Sequence, residues 1–284
     1  MLAVKQKHAL RALAKVTPKK RMGQHFLVDQ EAIARIVGAV TPPTPAALVV
    51  EIGPGMGAIS GGLLDRFGER LHCLEVDREA IAYLSARFPT LGERLHATDC
   101  LRFDYDSLGV PEFVLVGNLP YNISSQILFQ VKALRERVPS AVFMLQREVA
   151  YRLAARPKTK ENGILSILLQ TYFDIEVLFD LPPASFDPPP KVYSSVVRLV
   201  RNGRRALPCD ALLFEQVVKG AFNQRRKMLR NSLEAALGCD LSDLPQATLR
   251  PEALGVEEFI ALTTALAGRS GAQDGASPQP PLQA

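Results

Sequence analysis

Asn118-Leu119-Pro120-Tyr121 sets an amide, a proline and an aromatic ring directly after the apolar run Phe113-Val114-Leu115-Val116. The run predicts a buried strand, so the tetrapeptide falls on the loop that leaves it. The Asn118 side-chain carbonyl can accept a hydrogen from an exocyclic amine. Pro120 lacks an N–H, holds its φ at about −65° and restrains Leu119, so the backbone carbonyls can be aimed. Tyr121 can stack on a flat ring. Two readings stand at this point: a pocket for an amine-bearing base, and a proline turn with a packed tyrosine.

Glu51-Ile52-Gly53-Pro54-Gly55-Met56-Gly57 is the second segment that could do chemistry. Glycines at the end of a strand let backbone approach a ligand closely. Gly53, Gly55 and Ala58 also satisfy the dinucleotide-binding pattern. Glu75, ending the next apolar run, can accept from both hydroxyls of a ribose, a diol that NAD and S-adenosylmethionine share. Glu51 decides between them. A carboxylate two residues before Gly53 would repel a pyrophosphate and suits a cationic, amino-bearing cofactor. Pro54 removes an N–H that a phosphate would use. Both features favour S-adenosylmethionine. Asp99, in Ala97-Thr98-Asp99, can accept from the cofactor's adenine amine or serve only as a turn residue. Gly23-Gln24-His25-Phe26-Leu27 can fold over the cofactor, and His25 is given no acid–base role.

The elements that must position these residues alternate. Strands are expected at Ala47–Ile52, Leu71–Val76, Arg94–Ala97, Phe113–Gly117 and Ala141–Leu145. Helices are expected near Ala58–Phe67, Arg78–Arg87, Ser124–Leu134 and Glu148–Ala155. Such alternation implies a parallel sheet covered on both faces. Asp174–Phe179 and Val192–Val200, joined by the proline-rich Leu181–Lys191, suit an antiparallel pair at one sheet edge. After a linker at Asn202–Pro208, apolar residues recur at helical spacing from Asp210 to Ala267. The expected organisation is a basic arm over 1–21, an α/β domain over 22–201, a small all-helical domain over 209–268 and a disordered tail over 269–284.

The chain has 284 residues, a net charge of +5 and a pI near 9.1. The positive charge is clustered. No acid precedes Asp29, a second block runs from Arg198 to Arg230, and a third comprises Arg152, Arg156, Lys158 and Lys160. Three separated basic blocks predict a polyanionic partner, RNA or DNA. No apolar run approaches the roughly 18 residues of a membrane span. Cys73, Cys100, Cys209 and Cys239 form no CxxC pair and read as buried thiols in a reducing compartment. A cytoplasmic protein without metal is expected; an organelle presequence is the lesser reading of the acid-free N-terminus, which is Lys-heavy and has no Ser before Ser60.

Six segments, in order, resemble the KsgA/RsmA-type rRNA adenine dimethyltransferases. They are Lys20–Leu27, Glu51–Gly57, Gly117–Ser124, Met144–Ala150, Phe186–Val192 and Ala221–Lys227, and the resemblance spans about 19–268. It implies a class I (Rossmann-like) S-adenosylmethionine methyltransferase sheet with a helical C-terminal domain. It implies that His25, Leu27 and Gly55 contact the cofactor, that Gly53 faces its methionine end, and that Glu75 and Asp99 hold its ribose and adenine. Position 25 is often Asn in the family. Asn118 would lie between cofactor and target, with Leu119 and Pro120 supplying carbonyls and Tyr121 and Phe186 sandwiching a flipped adenine. Arg225, Arg226 and Lys227 would contact RNA. The implied reaction is dimethylation at N6 of two adjacent adenines in a hairpin loop near the 3′ end of small-subunit rRNA, by a monomer acting on the rRNA or a pre-assembled subunit. Three rivals remain: a large-subunit rRNA adenine methyltransferase, a non-catalytic RNA-binding assembly factor, and an NAD-dependent dehydrogenase.

Overall fold

A computed structural model describes residues 25–238 and 241–273. The basic arm and Cys239 lie outside them. The described chain forms two compact units. One runs to Ala154 and resumes over Tyr172–Gly203; the other takes Ala155–Thr171 and continues from Arg204.

The first unit is built on a seven-stranded sheet. Its strands are β2 (Leu48–Ile52), β3 (Leu71–Glu75), β4 (Leu95–Ala97), β5 (Phe113–Asn118), β6 (Ser140–Gln146), β7 (Phe173–Leu181) and β9 (Ser194–Arg201), in the order β4-β3-β2-β5-β6-β9-β7. β1 (Phe26–Leu27) and β8 (Phe186–Asp187) pair separately. The five strands from β4 to β6 are parallel. Val49, Val50 and all of Phe113–Val116 are buried, as a sheet covered on both faces requires. β9 runs antiparallel and inserts between β6 and β7. The late antiparallel pair is therefore at the sheet edge, as expected, with the later strand on the inner side.

Helices Gln30–Ala39 (α1), Ser60–Phe67 (α2), Arg78–Arg87 (α3), Ser124–Ala133 (α4) and Arg147–Leu153 (α5) complete this unit. Asp29 caps α1, accepting from the Ala32 N–H at 3.1 Å, and Asp77 caps α3, accepting from the Glu79 N–H at 3.1 Å. The chain goes from β2 outward to β3 and β4, then returns across β2 to β5 and β6. The direction of winding thus reverses between β2 and β5. Crevices for ligands open at the carboxyl ends of strands at such a reversal. The loop after β2 holds Gly53–Gly57, and β5 ends at Asn118, with Leu119–Tyr121 on the loop after it.

The second unit is helical: Ile164–Gln170 (α6), Ala211–Asn223 (α7), Leu229–Leu237 (α8) and Val256–Gln273 (α9). Phe214, Val217, Val218, Leu233, Phe259 and Leu262 are buried in it. Three expectations need correction here. Residues 155–171 belong to this unit and not to the sheet domain. The Asn162 side chain donates to the carbonyls of Glu252 and Leu254 at 3.1 and 2.8 Å, and the Lys158 N–H to that of Glu252 at 2.7 Å. The expected tail begins too early, since α9 extends through Gln273. Cys73 and Cys100 are buried thiols, but Cys209 is only half-buried.

Candidate active site

Gly53, Gly55 and Gly57 adopt φ of 64°, 56° and 72°. That left-handed conformation favours glycine and lets the chain turn directly after β2, where the Gly57 N–H donates to the Pro54 carbonyl at 2.8 Å. The loop is tied down by Glu75 at the end of β3, whose Oε2 accepts from the Gly55 N–H at 2.9 Å. Its Oε1 accepts from the N–H groups of Val76 and Asp77 at 2.8 and 2.9 Å. Glu75 is thus aimed by the backbone through both oxygens, and Oε2 keeps acceptor capacity for a ligand. On the other side, a Cβ on Gly117 would come within 2.5 Å of the Ile52 carbonyl. Only glycine lets β5 approach β2 so closely at this end.

These loops enclose a cavity of about 260 Å³. His25, Leu27, Gly53 and Gly55 line it, as do Glu75 and Asp99. Asn118, Leu119, Pro120 and Tyr121 form another part of its wall. Ten sequence-selected positions therefore converge. Its carboxylates are Glu51, Glu75 and Asp99, and among the described residues no lysine or arginine lines it. That charge favours a cation and opposes a pyrophosphate.

Glu51 is 1% exposed, and its Oε1 is buried without a hydrogen-bond partner. Burial pushes its carboxyl up to about 7, against the partial pull of the Ser60 hydroxyl and of the Cys73 thiol, which donates to Oε2 at 3.6 Å. A buried carboxyl that lines the cavity and keeps one oxygen without a hydrogen-bond partner fits an ammonium group. Asp99 Oδ1 accepts from the Leu101 N–H at 3.0 Å, so the aspartate makes its turn and lines the cavity as well.

Asn118 Nδ2 lies 3.1 Å from the His25 carbonyl oxygen. A carbonyl only accepts, so the amide must present its NH₂ there, which turns Oδ1 into the remaining acceptor. The His25 Nδ1–H donates to the Pro188 carbonyl at 2.8 Å. The His25 ring stacks on Tyr121, with centroids 5.8 Å apart and planes 29° from parallel. The Tyr121 hydroxyl bonds Ser194 Oγ at 2.8 Å, and burial raises its pKa. Leu119 donates its N–H to the Met144 carbonyl at 3.1 Å, and the Pro120 carbonyl accepts from Ile123 at 3.2 Å. Of the Leu119 and Pro120 carbonyls, that of Pro120 is thus already engaged by a backbone N–H.

Phe186 does not line the cavity. β8 pairs with β1 so that Phe186 sits opposite Leu27, and its side chain, 3% exposed, joins the core cluster with Leu27, Ile36 and Val196. The ring against Tyr121 is that of His25. Sequence reasoning had treated His25 only as a cofactor contact. It also passed over Val76, which lines the cavity while 60% exposed, and Ser194. The position of Val76, directly after the strand-end Glu75, was the available signal for the first. The bond from Tyr121 to Ser194 spans 73 residues and leaves no local pattern.

In the helical unit, Arg225 bonds the Lys160 carbonyl, and its Nε lies 3.9 Å from Glu252. Arg226 and Lys227 are exposed.

The sheet order and the acidic cavity at its reversal define a class I methyltransferase fold. The fold is shared by a dimethyladenosine transferase from Plasmodium falciparum, with TM-score 0.71 and 21% identity over 87% of this chain and 98% of that one. The 23S rRNA methyltransferase ErmE shares it too, with TM-score 0.60 and 24% identity over 83% and 99%. The profile described as "Ribosomal RNA adenine dimethylase" matches residues 16–254, and the chain belongs to that family. It is 49% identical to the ribosomal RNA small subunit methyltransferase A of Parabacteroides distasonis, over 87% of this chain and 93% of that one. It is 47% identical to the protein of that name from Thiobacillus denitrificans, over 89% and 99%.

Proposed function

We propose that this protein transfers methyl groups from S-adenosylmethionine to N6 of two adjacent adenines in a hairpin loop near the 3′ end of small-subunit rRNA, giving N6,N6-dimethyladenines. The observation that carries this reading is the orientation of Asn118. Its amide nitrogen is held by the His25 carbonyl, so Oδ1 is offered as an acceptor in a cavity whose other groups suit a cation.

Glu51 would hold the cofactor's amino group, Glu75 its ribose and Asp99 its adenine. Bound there, S-adenosylmethionine supplies an electrophilic methyl group on a sulfonium. The chain's own task is to make a poor nucleophile competent. The adenine N6 lone pair is delocalised into the ring. Asn118 Oδ1 and the Leu119 carbonyl accept the two amine hydrogens, which draws the nitrogen towards a tetrahedral shape and frees the lone pair for in-line attack. Tyr121, with its hydroxyl fixed by Ser194, presents a ring face to the base and offsets part of the cost of unstacking it. No strong base is needed, because the attacked nitrogen becomes acidic as its new bond forms. Arg226 and Lys227 on the helical unit would contact RNA phosphates.

The test pairs binding with transfer. Calorimetry should show binding of S-adenosylmethionine and none of NAD. Labelled methyl should pass to unmethylated small subunits and not to large subunits. Cofactor binding without transfer to any RNA would leave an assembly factor as the answer.

A further inference from the structure

Beyond the cavity, the same edge of the sheet carries a cluster that the transfer reaction does not use. β6 ends at Gln146, paired with Ser194 of β9. Arg147 follows, and its N–H donates to the Tyr193 carbonyl at 2.9 Å. The Arg147 guanidinium lies 5.3 Å from the Tyr151 ring centroid and 5.8 Å from that of Tyr193. Tyr151 and Tyr193 are 43% and 48% exposed.

The charges around this cluster point to a base and not to a phosphate. Arg147 Nε lies 3.2 Å from Asp180 Oδ2, so the guanidinium carries its own counter-ion. The Tyr151 hydroxyl donates to Asp180 Oδ2 at 3.2 Å, and Ser195 Oγ to Oδ1 at 2.6 Å. The carboxylate is thus satisfied from three sides and holds the arginine in place. What remains on offer are the ring faces, which reward stacking and are indifferent to the identity of the base.

The cluster is also continuous with the cavity. Leu119, beside Asn118, donates to the Met144 carbonyl, three residues before Arg147. Ser194, which fixes the Tyr121 hydroxyl, directly follows Tyr193. This edge is where the nucleotide next to an adenine held at Asn118 would be received.

We propose that Tyr193 and Tyr151, braced by Arg147, form a stacking platform for the unpaired base adjacent to the adenine in the cavity. The inference rests on the reading of the cavity as an RNA adenine site. With two adjacent target adenines, the platform holds one while the other reacts.

The experiment uses the full chain and a hairpin RNA carrying the two adenines. Each nucleotide flanking the reacting adenine is replaced in turn by an abasic residue, or by 2-aminopurine as a fluorescent probe. Tyr193→Ala should lower kcat/KM for RNA about tenfold, with S-adenosylmethionine affinity unchanged as the check on folding. Tyr193→Phe should restore it. On the wild type, one abasic position should cost the same factor; combined with Tyr193→Ala it should cost nothing further. 2-Aminopurine at that position should be quenched by the wild type and by Tyr193→Phe, and not by Tyr193→Ala. Multiplicative losses, or full activity in both Tyr193→Ala and Tyr151→Ala, would overturn the platform while leaving the cavity's function intact. If the wild type transfers no methyl at all, the parent reading fails; Tyr193-dependent quenching would still support the platform, and its absence would overturn both.

Discussion

Replacing Glu51 by glutamine should stabilise the free protein while weakening its hold on the cofactor. The carboxyl is 1% exposed and burial raises its pKa from 4.5 to about 7. The folded state therefore binds this proton more tightly than the unfolded chain does. Below pH 4.5 both states are protonated and nothing is lost. As pH rises from 4.5 towards 7 the unfolded chain ionises first, and folding stability falls. At about 1.4 kcal/mol per unit, the full penalty above pH 7 is about 3 kcal/mol. Glutamine removes the titration, so at pH 8 the free variant should melt higher by roughly 5 °C or more. The cofactor should respond in the opposite sense. A charge-assisted bond from its ammonium group is worth about 1.5–3 kcal/mol, so the variant's Kd should rise about 10- to 150-fold. In the wild type, binding at pH 6 should release a proton, seen as a buffer-dependent calorimetric enthalpy. The same dependence should be absent in the variant. A variant that melts lower at pH 8 and binds as tightly as wild type would refute the assignment of Glu51.

Other outcomes follow from single contacts. Asn118→Ala should abolish methyl transfer while RNA affinity persists; transfer at the wild-type rate would end the account of N6 activation. Gly117→Ala places a Cβ 2.5 Å from the Ile52 carbonyl, where backbone must give way, and should cost about 1–3 kcal/mol in chemical denaturation and loosen cofactor binding. Neutralising Arg226 and Lys227 together should weaken RNA binding and reduce its salt slope by roughly 1–2, and an unchanged slope would move the RNA face elsewhere. Arg225→Ala should instead lower the melting temperature, because its partners Lys160 and Glu252 are within its own unit.

The sheet was legible because parallel strands buried on both faces read as continuous apolar runs. Phe113–Val116 and Ala141–Leu145 have strand length and alternate with helix-like segments, and Arg78–Arg87 begins directly after its capping aspartate. The helix at Ile164–Gln170 was missed because seven residues, apolar on nearly every side, show no helical period. Helix α1 was missed although Asp29, Ile33, Ile36 and Val37 carried its signal. In the site, residues on strand ends were found because they follow apolar runs at fixed offsets. Phe186 was misplaced because a phenylalanine beside prolines looks the same whether it faces a ligand or the core. Only its pairing with Leu27 decides which. The stacking of His25 on Tyr121 brings together residues nearly a hundred positions apart, and no local pattern records it.

The central claim is that the amine held at Asn118 belongs to small-subunit rRNA adenines and receives two methyls. The most direct measurement is to incubate the protein with S-adenosylmethionine and small subunits lacking the modification, then map and weigh the products by nucleoside mass spectrometry. The account predicts N6,N6-dimethyladenosine at two adjacent positions near the 3′ end, lost with Asn118→Ala. Methyl groups on another base, or on adenines of the large subunit alone, would contradict it.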